Sequence, residues 1–440
     1  MSGTVGDFEL PAGLDDVTPA FMTQVLRRCG LISAANEVVS QQESGVGMTA
    51  GYFSAIKKVK CTYKEPTDAQ TDFVVKAWPA FEIFPKQSIR EMFIKDINGY
   101  LLPADQFYPR PKVYLADFDI EQDRWILIME DVDSFAEHKV HESELTFDEV
   151  MRMIPRLVDV AVAWEGCDSG PKAEQLEKLG VHHWTSDQNM AVYRALMPAG
   201  AKFIDKMATI EGSKLSGSPT WDEALGGPDI SQLFTTRMDA FFHDARPENG
   251  ATCTLSHGDM RGDNIFFCDG LAEYPDRWLC IDYQLMFRGP VPSDLAYLMG
   301  TASVLPDVYK GENLHKILRE FHTRFMARTQ IYKSYTYDRF VAEYSAMVTV
   351  HYMYMVAMGA AIWHQGAFHN ALCARVELGG QGATEADLPP EEMRQRMWFT
   401  KCLANHRDNF KTFGHYDRLR RMPENLDGLG DWVDLPPHLR

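Results

Sequence analysis

The chain has 440 residues, 45% of them apolar, and 62 acidic against 44 basic side chains give it a formal net charge of −18. Disordered chains lack this much apolar material, and nucleic-acid binding needs basic patches that this balance opposes. The length suits two lobes of a folded α/β or α+β enzyme.

The acidity reads as an ordinary cytoplasmic surface, and it also suits a cationic substrate. The eight cysteines form no C-x-x-C pair and mostly sit in apolar runs, the pattern of reduced thiols. "MSGTVGDFEL" has neither a basic nor an apolar leader region, so no signal peptide is expected. No His/Cys spacing argues for zinc.

Residues 1–35 read as a helical lead-in, with Thr18 as N-cap, Pro19 at the first helical position and Gly30 as the stop. Residues 36–132 form a β-rich lobe. "EVVSQQ", "YFSAIKKVKCTY" and "DFVVKAW" are its first strands, and a helix is expected over about 86–102. "PKVYLADFD" and "DRWILIMEDV" complete it around a polar turn. Residues 133–440 turn helical, beginning with "FDEVMRMIPRLVDVAVAW" and interrupted by one β segment at 263–283. The stretch 211–230 reads as a mobile loop, and 389–410 as a late amphipathic helix. Residues 344–363 carry no formal charge over a membrane-spanning length, yet their His351, tyrosines and few Leu or Ile read as a buried helix. No membrane partner is expected. The fold class is α+β.

The polar loop "SHGDMRGDNIFF" runs straight into an apolar strand, and "RWLCIDYQ" is a second strand ending on Asp282. Pairing the two as a hairpin brings Asn264 and Asp282 to one end. Two such oxygen donors suit Mg²⁺, a hard cation that also takes phosphate oxygens. Asp259 stands free to orient a substrate hydroxyl and accept its proton, and Arg261 adds a positive charge for a transferring phosphoryl group. Upstream, Gly45, Gly47 and Gly51 lie between two strands, where backbone N–H groups approach a triphosphate or simply make a turn. Lys76 sits inside an apolar strand. It needs an anionic partner there, an ATP phosphate and a helix carboxylate, unless it reaches water from an edge. The aromatic and Met-rich segment Tyr335–Trp363 reads either as helix core or as an apolar wall for a flat or greasy alcohol.

In that order these pieces resemble the protein-kinase-like phosphotransferases of small molecules. "HGDMRGDN" is similar to the catalytic loop of aminoglycoside phosphotransferases and choline kinases. "CIDYQLMFRGPVPSDLAYLMGTA" resembles the ecdysteroid-kinase-like (CHK) branch more closely, as do "GVGMTAGYFSAIKKVK" and "PKVYLADFDIEQDRWILIMEDV". The resemblance covers roughly residues 35–305. It implies a protein-kinase-like bilobal fold, with Mg-ATP held between the lobes and a hydroxylated small molecule as acceptor. Asp259 would be the catalytic base, Asn264 and Asp282 the magnesium ligands, and Lys76 the contact to the α/β-phosphates. The Gly45–Gly51 loop would cover the nucleotide. Met129–Val132 would be the hinge meeting adenine through backbone atoms of Glu130 and Val132. His257 and Asp294 would brace the catalytic loop. Glu91 is the first choice to pair with Lys76, and Asp96 the second. The metal motif reads D-Y-Q where the wider superfamily has D-F-G. A nucleotide-binding pseudokinase would have lost Asp259, Asn264, Asp282 or Lys76, and none is lost. A protein kinase would carry an A-P-E segment after Asp282, and none follows.

Overall fold

The computed structural model describes residues 9–45, 54–78, 86–138, 144–187, 189–190, 245–301, 303–365 and 411–421, with isolated positions at 233–242 and 402–409. In chain order the first elements are α1 (Pro19–Arg28), β1 (Val38–Gly45), β2 (Ala55–Tyr63), β3 (Asp72–Ala77), α2 (Lys86–Leu101), β4 (Val113–Asp119), β5 (Arg124–Glu130) and β6 (Glu137–His138). Then come α3 (Phe147–Ala163), α4 (Gly170–Lys178), β7 (Thr254–Ser256), β8 (Ile265–Phe267), β9 (Trp278–Cys280) and β10 (Phe287–Gly289). The last are α5 (Ser293–Gly300), α6 (Gly311–Met326), α7 (Tyr337–Gln365) and α8 (His415–Arg421). They fall into two compact units: Met1–His138 with Phe266–Leu285, and Lys139–Ile265 with Met286–Arg440.

The first unit is built on an antiparallel sheet in the order β1-β2-β3-β5-β4. Strand alternation sends Phe73, Val75 and Ala77 of β3 into a core shared with Ile126 and Ile128 of β5. It sends Lys76 to the other face. Each large apolar side chain buried this way contributes about 1.5–3 kcal/mol. The expected lead-in helix belongs to this core. The Thr18 hydroxyl accepts the Phe21 N–H at 3.3 Å to start α1, and Gly30 ends it with φ +73°. Met22, Val25 and Leu26 of α1 pack against the sheet.

The segment Phe266–Leu285, expected with the helical part, belongs to this first unit. Its hairpin strands β8 and β9 extend a small sheet from β6, with Glu137 opposite Phe267 and His138 opposite Phe266. The Cys280 N–H donates to the Pro109 carbonyl at 2.9 Å, tying the hairpin down.

The second unit is mainly helical. Thr146 and Glu149 form a capping box at the start of α3, whose Val150, Ile154, Leu157, Val158 and Ala161 are buried. The short strands β7 and β10 pair antiparallel, Leu255 opposite Arg288. At three residues each, they carry no readable period and were not anticipated. The uncharged stretch 344–363 lies within α7. Tyr344, Met347 and Tyr352 are wholly buried there, as are Ser345 and Thr349. No helix among the described residues is long and apolar enough to cross a membrane. The stretches 211–230 and most of 389–410 lie outside the described residues.

Candidate active site

The first unit gathers a charged cluster around β3. The Lys76 ammonium lies 2.7 Å from Asp96 Oδ2 and 3.4 Å from Asp282 Oδ1, and 5.7 Å from the centre of the Trp125 ring. Lys76 and Asp96 are almost fully buried. Burial pulls the lysine pKa down, but the charges of Asp282 and Asp96, and its hydrogen bonds to both, outweigh it and hold the pKa above its ordinary value. The ammonium is therefore charged. Burial pushes the Asp96 carboxyl up against the pull of Lys76, with Asp282 adding to the push. Two carboxylates face one ammonium, so the cluster carries an excess of negative charge. Asp282 is its more open member, with a side chain 18% exposed against 1% for Asp96.

The carboxylate that meets Lys76 is thus Asp96, and the expectation for Glu91 is corrected. Glu91 lies more than one turn earlier on α2 and acts on Lys95 instead. The register of α2 is fixed by contacts no local pattern reveals. Asp96 Oδ1 accepts the Tyr283 N–H at 2.9 Å, and the Tyr100 hydroxyl accepts the Asp282 N–H at 3.2 Å. Between them sits Gly99, where a Cβ would come 2.3 Å from the Tyr283 Cβ. Asp96, Gly99 and Tyr100 share one helix face by their spacing. Tyr283 is fully buried, 4.7 Å from the Tyr100 ring and 5.1 Å from that of Phe107. The D-Y-Q turn is held under α2, and Asp282 itself has φ +73°, an unusual conformation for a non-glycine residue. Gly99 and Tyr100 were not anticipated.

At the end of β5, the Glu130 N–H donates to the Lys112 carbonyl at 2.9 Å. The Val132 carbonyl accepts from Phe135 and Ala136 N–H groups. Met129 pairs with Val74 in the sheet. Lys58 braces this segment through Asp131, at 2.8 Å, and Asp133. Gly45 closes β1 opposite Lys57, while Gly47 and Gly51 lie outside the described residues.

The second unit holds the loop that follows β7. The Asp294 carboxylate, on the first turn of α5, accepts the N–H groups of His257 at 2.7 Å and Gly258 at 3.0 Å. Gly258 has φ +84°, which a side chain would oppose. His257 Nδ1 accepts the Asp259 N–H at 3.2 Å. Asp259 is 4% exposed. Its Oδ1 accepts the Tyr297 hydroxyl at 2.7 Å, and its Oδ2 the Asn264 amide at 3.2 Å. The same amide donates to the Asp259 carbonyl at 2.9 Å. Arg261 Nε lies 3.1 Å from Asp263 and 3.5 Å from Asp259. Burial, and then the Asp259 charge, push the Tyr297 pKa well above its ordinary value, so the phenol stays protonated as a donor. Tyr297 in turn packs edge-on to His351 at 4.6 Å. Tyr297 was missed. Its signal was present in "SDLAYLMG", since Asp294 and Tyr297 are one helical turn apart and both face the loop.

Each unit thus holds one buried charged group with its partners in place, Lys76 in the first and Asp259 in the second. The family model that matches the chain is the ecdysteroid kinase-like family, over residues 49–334. The chain belongs to that family. No curated protein matches it. Among solved structures, this ecdysteroid kinase-like protein is similar to a Plasmodium vivax ethanolamine kinase, 12% identical over 88% of this chain and 89% of that one, with TM-score 0.45. It is also similar to a putative aminoglycoside phosphotransferase from Ralstonia eutropha, 15% identical over 88% and 98%, with TM-score 0.43. A choline kinase from Streptococcus pneumoniae is 13% identical over 82% and 98%, with TM-score 0.36.

Among the described residues, part of the aromatic segment is core. Tyr335, Tyr344, Met347 and Tyr352 are buried, and the Tyr335 hydroxyl donates to Glu343. The side chains of Met353, Met355, Met358 and Trp363 lie outside the described residues.

Proposed function

We propose that this protein is an ATP- and Mg²⁺-dependent phosphotransferase acting on a hydroxyl group of a small molecule. The observation that carries this reading is the buried Lys76, held at 2.7 Å by Asp96 with Asp282 beside it. A cluster of that kind is costly for a fold to keep unless the ammonium has an anionic ligand to serve. Membership of a kinase-like family and the braced Asp259 loop support it.

In this reading Lys76 takes the α/β-phosphates, and Asp96 keeps its ammonium charged and in place. The nucleotide base is met by the Glu130 carbonyl and the Val132 N–H, with Met129 beside them. Asn264 and Asp282 hold the magnesium. The donor set fits a hard cation: both offer oxygen, and Asp282 Oδ2 accepts only a long 3.4 Å bond from Gln284 among its described contacts. When bound, the ion supplies charge neutralisation at the phosphates. Asp259 accepts the acceptor's proton. Tyr297 and Asn264 fix its two oxygens so that no reorganisation is needed as the proton moves. Arg261 adds positive charge near the phosphoryl group in flight. Catalysis is then mostly positioning and electrostatics.

The deciding experiment incubates the purified protein with labelled ATP, Mg²⁺ and a panel of hydroxylated metabolites. Label should pass to at least one small molecule and not to generic protein substrates. Magnesium-dependent binding of ATP with no transfer to any acceptor would make it a binding module instead. Transfer to proteins alone would make it a protein kinase.

A further inference from the structure

The turn 269–277 between β8 and β9 buries a single residue. Tyr274 is 9% exposed, while Ala272, Glu273 and Pro275 beside it face solvent. It is the one aromatic residue of that turn. Its backbone is fixed on both sides. Its N–H donates to the Leu271 carbonyl at 3.2 Å, and its carbonyl accepts the Arg277 N–H at 2.9 Å.

From there the side chain reaches the segment that follows β5, within the same unit. The Tyr274 hydroxyl donates to Glu130 Oε1. The same oxygen accepts the Lys112 N–H at 2.6 Å, and the Glu130 N–H donates to the Lys112 carbonyl at 2.9 Å. Glu130 is therefore held through its side chain and its backbone together. Further along, the Tyr274 ring stacks on Phe135, with centres 5.7 Å apart and 18° between the planes. Val132, between the two, lies in one buried cluster with Tyr274, Phe266, Cys268 and Leu279. Burial, and then the bond to Glu130, push the Tyr274 pKa above its ordinary value, so the phenol stays protonated as a donor. The ring alone fills the cluster. Its hydroxyl costs desolvation that only a bond offsets, and that bond goes to Glu130.

We propose that Tyr274 is a positioning residue for recognition of the nucleotide base. This rests on the phosphotransfer reading, in which backbone atoms of Glu130 and Val132 meet the base. Tyr274 acts through the chain it holds: it fixes the Glu130 side chain at one end and packs with Val132 and Phe135 at the other. The two base-meeting groups then keep one spacing before a nucleotide arrives, and a preorganised site binds tighter because its ordering cost is already met. Among the described contacts of Lys76, Asp96 and Asp282, none is with Tyr274, so the phosphate end stands apart from it.

The test is calorimetric titration of the full chain, with Mg²⁺ present, against ATP and against inorganic tripolyphosphate, which has the phosphates but no base. Tyr274→Phe keeps the ring and its stacking and removes only the hydroxyl. It should weaken ATP about tenfold, the loss of a charge-assisted bond, and leave tripolyphosphate unchanged. A residue that merely supports the fold would move both ligands together. Glu130→Ala should weaken ATP at least as much, and the double variant no further than Glu130→Ala alone, because both changes break the same bond. Unchanged ATP affinity in Tyr274→Phe would overturn the proposal and leave the phosphotransfer reading standing. Equal weakening of ATP and tripolyphosphate, or losses that add in the double variant, would do the same. A wild type that binds neither ligand would remove both readings together.

Discussion

The charged cluster of the first unit and the carboxylate loop of the second are stabilised by opposite means. Around Lys76 the forces are between full charges buried together, one ammonium against the carboxylates of Asp96 and Asp282. Around Asp259 a single buried carboxylate is held by neutral donors, the Tyr297 phenol and the Asn264 amide, on a backbone pinned by Asp294 and His257. The first arrangement resists loss of any member, because removing one charge strands the others. The second can lose a donor and keep its shape, since the backbone is fixed independently. In the proposed reaction, one holds charge and the other holds geometry while charge changes.

The sharpest break in that comparison is Asp259→Asn. It keeps the shape of the loop and removes the proton acceptor, so kcat in single-turnover assays should fall about a hundred- to ten-thousandfold with nucleotide affinity little changed. Lys76→Met tests the other half. With Asp96 and Asp282 left facing each other in the interior, unfolding free energy should drop by about 3–5 kcal/mol, read from urea melts, and ATP affinity should fall with it. Equal tolerance of both substitutions would erase the distinction.

Gly99→Ala asks whether packing sets the charged half. Alanine favours a helix, but its Cβ would meet the Tyr283 Cβ at 2.3 Å. Despite the better propensity, stability should fall by about 1–3 kcal/mol. Tyr297→Phe removes one donor from Asp259 and nothing from the backbone. The expected cost is about ten- to hundredfold in kcat, and since one hydrogen bond to a charged group is worth about 1.5–3 kcal/mol of stability, the urea midpoint should fall about as far as in Gly99→Ala.

The last effect concerns pH. Burial lowers the pKa of His351 to about 3, against a hydrogen bond to the Ser293 carbonyl at 3.2 Å that pulls the other way. The unfolded chain takes up this proton near the ordinary 6.5, and the folded one does not until about 3. Stability is therefore complete above pH 6.5 and declines as pH falls from there toward 3, by at most about 1.4 kcal/mol per pH unit. His183 shifts in the same direction. His351→Gln should flatten the urea midpoint measured from pH 7 to 5.

Much of this was legible in the sequence because it depends on neighbours along the chain. Strand alternation alone turns Lys76 away from the apolar face of β3, and Thr18, Gly30 and the order of five strands around one helix follow from local preferences. The loop from His257 to Asn264 is partly self-contained in the same sense: His257 Nδ1 and the Asn264 amide bond Asp259 from within it, while Asp294, Tyr297 and Ser303 reach it from further along the chain. What tertiary structure alone decided is which side chains from distant elements meet there. Asp96 rather than Glu91 reaches Lys76 because α2 can approach the D-Y-Q turn only where Gly99 leaves room for Tyr283. Tyr297 reaches Asp259 because α5 is anchored to the loop through Asp294. A period of 3.6 residues sets which residues share a helix face, but the rotation of that face toward a strand is fixed by close packing between elements far apart in sequence.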